Sequence, residues 1–338
     1  MLLWTALQTW VSKDASKKAA RLDRNKVKSI AVIKHAALGD MLLVRPMLIT
    51  LRETFPNATL TLSVVTNYMS GIPEDLVDRI HVAKGNERRY SYFETYKSYK
   101  QLGAQDLLFD ISATSRSFWL TKVTPAKLKI GFIHRGLHKL LYDIAIPRAH
   151  YRFEAESFME QMHVIGVDFE WPLRFDLAKP ESIRDKPNIL YFATASVASK
   201  CWPAENFSKL INNMCQKLPD HEHLLLSGLA EWEQSVATNI ASEVTHSNFS
   251  LIPGGPDTFT LVANAYILVA NDTSIRNMAI AYYTPTVGIF PPSFTAFGYR
   301  PLFGPHDSVT ATELGPAPVE LVEDAILKLH AKLSEMKH

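Results

Sequence analysis

The sequence predicts an α/β chain of two doubly wound, Rossmann-like lobes with a cleft between them. Three observations carry that expectation. Short apolar runs rich in β-branched residues alternate with stretches of helical periodicity, the pattern of a parallel sheet covered on both faces. The alternation stops around Trp171-Pro-Leu-Arg-Phe-Asp-Leu-Ala-Lys-Pro and then restarts. The 338 residues suffice for two domains of ordinary size.

In the first lobe, Val27-Lys-Ser-Ile-Ala-Val-Ile-Lys reads as a buried strand. Leu43, Met47 and Leu51 share one face, which predicts a helix from Met41 to Phe55 ending before Pro56. Further strands are expected over 60–65, 79–83, 106–111 and 127–132. Pro172, Pro180 and Pro187 punctuate a polar stretch, the candidate linker. Beyond it, strands are expected over 189–193, 223–227, 266–270 and 286–290, with helices over 204–217, 230–244, 275–282 and 318–336. The expected division is a basic, amphipathic extension (1–27), a first lobe (28–175), a second lobe (188–320) and a C-terminal helix (321–338).

Composition narrows the function classes. At 47% hydrophobic and 21% charged, the chain reads as soluble and globular. A net charge of +2 argues against wholesale nucleic-acid binding. Cys201 and Cys215 provide neither a disulfide framework nor a thiolate metal site, which fits a reducing compartment. No apolar run is long enough to span a bilayer. Lys13, Lys17, Lys18, Arg21, Arg24, Lys26 and Lys28 crowd the first stretch, and Leu3, Leu7, Trp10 and Val11 share a helical face. That helix would lie on an anionic membrane or pack on its own domain; both remain open.

Three strand-to-helix corners carry the candidate chemistry, because open α/β sheets bind ligands outside the carboxyl ends of their strands. In His35-Ala-Ala-Leu-Gly39-Asp40, Gly39 permits close approach of a ligand, and Asp40 can accept a proton or cap the helix. In Ser196-Val-Ala-Ser-Lys200-Cys-Trp202-Pro203, a lysine stands beside a helix start whose N–H groups and dipole favour phosphate, and Trp202 is expected to pack that helix on the sheet. Asn271-Asp272-Thr273-Ser274 offers oxygens that cap a helix or meet a ligand. Glu231, with Glu233 equal by chemistry, could bind ribose hydroxyls or simply favour a helix start. No metal site is expected: His221-Glu-His223 lacks a third ligand, and Gly136 interrupts His134 and His138. Gly-x-Gly-x-x-Gly and Gly-x-Ser-x-Gly patterns are missing at the strand ends.

Taken in order, these corners resemble glycosyltransferase family 9, the heptosyltransferases of lipopolysaccharide core assembly. The likeness runs from about residue 28 to 330. It rests on Ile30-Ala-Val-Ile-Lys-His-Ala-Ala-Leu-Gly-Asp, on Leu51-Arg-Glu-Thr-Phe-Pro, on Lys200-Cys-Trp-Pro and on Asp272-Thr273. The resemblance implies a GT-B fold and an inverting, metal-independent transfer with no cofactor beyond the nucleotide-sugar, ADP-heptose. Asp40 would match the catalytic base, and Lys200 the lysine on the donor diphosphate. Ser196, Glu231, Asp272, Thr273, Ser274 and Asn277 would complete the donor site. Two departures bear on the donor: Ser274 stands where the family has glycine, and Asn277 where it commonly has histidine. Neighbouring Arg276 is a candidate replacement cation.

The implied acceptor is an anionic, lipid-linked Kdo/heptose saccharide of the lipopolysaccharide inner core. It would be met by a cytoplasmic protein held peripherally on the inner face of the cytoplasmic membrane. Gly39, Arg116 and Arg135 are the acceptor candidates, among first-lobe cations that include Lys84, Arg88, Arg89, Lys97, Lys100, Lys122 and Lys139. The alternatives are another nucleotide-sugar, an epimerase that turns over donor alone, and an inactive transferase-like binding protein.

Overall fold

Two parallel sheets form where the β-branched runs were expected. The computed structural model describes residues 8–85, 90–149, 152–292, 298 and 300–336. The chain divides into two units, residues 1–149 with 154–175 and residues 150–153 with 176–338.

The first unit contains, in chain order, β1 (Trp10–Val11), α1 (Ala15–Arg21), β2 (Ser29–Ile33), α2 (Leu38–Leu42), α3 (Arg45–Thr54), β3 (Thr59–Val65), β4 (Arg79–Ala83), α4 (Tyr92–Lys100), β5 (Gln105–Asp110), α5 (Ser115–Val123), β6 (Ala126–Phe132), α6 (His138–Leu141), β7 (Ile144–Ile146) and α7 (Glu154–His163). Its strand order is β1-β7-β6-β5-β2-β3-β4. Only β1, on β7, is antiparallel. All six residues of β5 are buried, as a strand covered on both faces requires. On one face, Tyr99 and Leu102 at the end of α4 and Leu120 of α5 cover Ala31, Ile33 and Leu108.

Two expectations change here. The single helix over 41–55 is two, α2 and α3, because Pro46 sits in the first turn of α3 and has no N–H with which to continue a helix. The amphipathic N-terminal helix fails at Trp10 and Val11, which form β1; Leu3 and Leu7 lie outside the described residues. Trp10 packs edge-on to His138, with ring centroids 5.6 Å apart, and joins Phe118, Tyr142 and Ala145. Ala15 and Ala19 are buried, and Lys18 Nζ lies 2.6 Å from Asp143 Oδ1. Burial against the sheet therefore wins, and this stretch belongs to the first unit rather than extending from it.

The second unit contains β8 (Asn188–Phe192), α8 (Ala204–Lys217), β9 (Glu222–Leu226), α9 (Glu231–Ser242), β10 (Phe249–Ile252), α10 (Thr258–Asn264), β11 (Ile267–Asn271), α11 (Ser274–Ala281), β12 (Thr286–Phe290), β13 (His306–Thr310) and α12 (Val319–Glu335). The order β10-β9-β8-β11-β12-β13 is parallel throughout. The edge strands β10 and β13, only partly buried where the inner four are almost wholly buried, were not expected. α12 is part of this unit's core: Val322, Ala325, Ile326 and Leu329 pack with Tyr191, Leu210 and Val287. Removing that contact tests the packing. Ile326→Ala is expected to cost about 2–5 kcal/mol, read as a lower urea midpoint, the range for emptying a buried aliphatic site.

Candidate functional site

In the second sheet, β8 and β11 are neighbours, and the chain runs on from β8 to β9 and from β11 to β12, in opposite directions. Such a switch point opens a crevice for ligands. The loops 193–203 and 271–274 meet there, and Asn271 ties them together. Its buried amide donates from Nδ2 to the Ala193 carbonyl (2.7 Å), and its Oδ1 accepts the Trp202 N–H (3.0 Å). Trp202 anchors the other side: its indole N–H donates to the Ala317 carbonyl (2.8 Å), and its ring meets Phe207 edge-on at 5.0 Å.

Lys200 ends a short 3-10 turn, Ala198–Lys200, within the loop so held. Its Nζ is 2.8 Å from Asp272 Oδ2, with the lysine side chain 38% exposed and the aspartate 9%. The cation is thus aimed by a carboxylate while keeping a face to solvent. Thr273 is the extended N-cap of α11, and its hydroxyl makes no capping bond. Ser274, exposed, opens the helix. Beside this corner lies a cavity of about 350 Å³ lined by Lys200, Trp202, Asn271, Phe290, Pro291 and Thr312.

The remaining donor candidates separate. Ser196 is exposed in the same loop. Glu233 is used structurally: it accepts from the Ala230 N–H (3.0 Å) and from the Thr194 hydroxyl (3.2 Å). Glu231 stands exposed in the first turn of α9. Asn277 is buried on the inner side of α11. Arg276 does not replace a surface cation. It is wholly buried, with its guanidinium 4.8 Å over the Phe290 ring. Burial lowers its pKa to about 10, against the opposing pull of Asp272. A Cβ added at Gly288 would stand 2.4 Å from Arg276 Nε, so glycine in β12 makes the room.

In the first sheet the switch point lies between β2 and β5. The Ser112 hydroxyl accepts the His35 N–H (2.6 Å) and donates to the Ile33 carbonyl (3.2 Å). Asp110, fully buried, accepts the N–H groups of Ser112 and Ala113 and the Tyr142 hydroxyl (2.7 Å). Burial pushes its pKa up. Gly39 and Asp40 lie inside the first turn of α2, whose N-cap is Ala37; Asp40 is therefore not the cap. Asp40 is half-buried and Gly39 buried. Gly71, at φ +73°, presses on this turn, because a Cβ there would lie 3.1 Å from Leu38 Cγ.

Two side chains beside the turn escaped the sequence reading. Lys34, buried, holds its Nζ 3.6 Å from Glu154 Oε1 and 4.3 Å over the Phe158 ring. His35 is buried with neither ring nitrogen hydrogen-bonded. Their position directly after the first strand was the available signal. Arg116 is half-buried at the start of α5, whereas Arg135 stands exposed on the turn after β6 at φ +37°. Arg88 and Arg89 lie outside the described residues.

A family model described as glycosyltransferase family 9 (heptosyltransferase) matches residues 95–314, two-thirds of the chain. The chain belongs to this family. The matched span includes Lys200, Asp272 and Arg116, and begins after the Asp40 turn. Lipopolysaccharide heptosyltransferase 3 of Escherichia coli (strain K12) is 22% identical over 277 residues, covering 75% of this chain and 79% of that protein. Among solved structures, E. coli heptosyltransferase WaaC with ADP-2-deoxy-2-fluoro heptose aligns at TM-score 0.71 and 18% identity, covering 89% and 99% of the two chains. A glycosyl transferase family 9 protein from Veillonella parvula aligns at 0.70 and 17%, covering 92% and 98%. The fold is GT-B, and the chain is a glycosyltransferase.

Two measurements check this geometry. Asn271→Ala should destabilise the transferase by about 1–3 kcal/mol, since it strands a buried carbonyl and a buried N–H; thermal unfolding reads it. Burial and the charge of Arg116 lower the His35 pKa to about 3. Below the unfolded value of 6.5, the unfolded chain takes up a proton that folded His35 refuses, so stability present above pH 6.5 is lost as pH falls toward 3. His35→Leu should therefore flatten the fall in urea midpoint between pH 7.5 and 5.

Proposed function

We propose that this transferase moves heptose from ADP-heptose to an anionic Kdo/heptose saccharide of the lipopolysaccharide inner core, with inversion. The observation that carries the reading is the Lys200–Asp272 pair at the β8/β11 switch point. It offers an oriented cation and the N-terminus of α11 to a diphosphate, in a family of heptosyltransferases. The curated E. coli relative is a lipopolysaccharide heptosyltransferase, and WaaC is solved with an ADP-heptose analogue.

In this reading Asp40 takes the proton of the acceptor hydroxyl, whose oxygen forms the new bond to the anomeric carbon. The bond from that carbon to the diphosphate oxygen breaks on the opposite face, and ADP leaves with the electron pair. Lys200 and the N–H groups near Thr273 and Ser274 receive the developing charge. Ser196 and Asp272 line the diphosphate corner, Glu231 meets the ribose, and Asn277 supports α11 from within. Gly39, Arg116 and Arg135 serve the acceptor. Gly39 would let the sugar approach the turn, and the arginines would meet its anions.

We assign the exposed cations Lys13, Lys17, Arg21, Arg24, Lys26 and Lys28 to peripheral contact with the anionic inner face of the cytoplasmic membrane. No helix among the described residues is long and apolar enough to cross a membrane.

Product formation from ADP-heptose and a Kdo-bearing lipid A, followed by mass spectrometry, tests the reaction. Asp40→Ala should lower kcat by roughly 10²–10⁴-fold with donor affinity nearly unchanged. Lys200→Ala should weaken donor binding by about tenfold or more and slow transfer as well. Full activity in the Asp40 variant removes it as base. Turnover of donor without any acceptor replaces transfer by epimerisation.

A further inference from the structure

Opposite charges 2.8 Å apart cancel, so the Lys200–Asp272 pair alone offers an incoming diphosphate no net charge. A second cation lies beneath it. Arg276 stands on α11 just beyond Asp272, wholly buried, and the charge of the buried Asp272 reaches its guanidinium. Burial lowers the pKa of Arg276 only to about 10, so it stays charged at neutral pH. The other titratable groups nearby do not offset it. Arg300 also reaches Arg276, but its Nη2 lies 4.0 Å from Asp307 Oδ1. Burial and the charge of Arg276 lower the pKa of buried His306 to about 3, so that ring is neutral. Glu313, on the wall of the cavity beside Lys200, is exposed to water, which screens it.

Packing α11 on the sheet does not require a guanidinium: Met278 and Ile280 are buried on the same helix without charge. This cation is nonetheless accommodated, with space left by Gly288 and a ring face from Phe290. We propose that Arg276 is a positioning residue for the donor: it shares the Asp272 carboxylate with Lys200, gives the corner a net positive charge, and compensates that carboxylate when Lys200 turns to an incoming diphosphate. The proposal rests on the transferase reading of this corner. Without Arg276 the lysine would serve either Asp272 or the phosphates, and a deserted buried carboxylate would repel the anion. With it, two cations face one carboxylate, and the buried charge acts on the corner with little screening.

The test uses the full-length protein and two probes, inorganic pyrophosphate and ADP, read by isothermal titration calorimetry. Arg276→Met, neutral and of similar length, should weaken both about tenfold or more. Arg276→Lys, which keeps the charge, should recover most of the affinity; a merely structural role would give the two variants equal losses. Thermal unfolding verifies that each is folded, and Arg276→Gln replaces Arg276→Met, with the same expectation, if the latter does not fold. Unchanged affinities in the folded neutral variant, or equal losses with lysine and methionine, overturn the proposal. A native protein that binds neither probe overturns it together with the transferase reading. Otherwise the two fail separately. Pyrophosphate binding that depends on the charge at Arg276, in a protein that transfers nothing from ADP-heptose, would sink the transferase reading and keep this one. Normal transfer with the ADP-heptose KM and the pyrophosphate affinity unmoved in Arg276→Met would do the reverse.

Discussion

One buried amide organises the second unit's ligand corner. Asn271 closes β11 and uses both polar atoms on the backbone that follows β8, holding the two ends of one loop, 78 and 69 residues away in sequence. An amide is suited to this because it donates and accepts at once, whereas a carboxylate would only accept. With the loop so fixed, Lys200 can reach Asp272, and Trp202 can close the corner against the core. The lysine side chain is consequently held beside the carboxylate, with part of its conformational freedom already lost on folding.

Charge is handled differently in the two units. Around the Asp40 turn the buried groups are neutral or paired: burial keeps His35 uncharged, Lys34 shares Glu154 with Arg148, and Asp110 is held by hydrogen bonds. Behind α11, by contrast, a full guanidinium is buried. Arg276 survives there because Phe290 offers its ring face, Gly288 offers space and Asp272 lies within electrostatic reach. Ser274 and Asn277 thus stand on a helix whose inner side carries a buried arginine.

The first unit also holds an aromatic cavity of about 580 Å³, lined by Tyr92, Tyr96, Trp119 and Arg116. It follows from the same parallel architecture. Helices α4 and α5 cover one face of the sheet with Tyr99, Leu102 and Leu120, which bury the core. Tyr92, Tyr96 and Trp119 fall on turns of the same helices that the core does not need. What the helices leave uncovered lies at the carboxyl ends of the strands, where loops rather than core packing set the chemistry.

The sequence by itself determined the two sheets, most inner strands and the three corners, because apolar periodicity and helix-start chemistry are local signals. Arg79–Ala83 and Thr286–Phe290 could be read to the residue. Only tertiary structure decided the rest. β10 and β13 are short, only partly buried edge strands, fixed by pairing with β9 and β12. Trp10 read as part of a helix, lying on a membrane or packed on its own domain, until β7 offered an edge. Adjacency made Arg276 a surface cation, and burial made it an interior one. Asn271, His35 and the Arg116 cavity were invisible because their meaning lies in groups distant along the chain. Side-chain type fixes what each residue can do, while the partners it meets are set by which strands lie side by side.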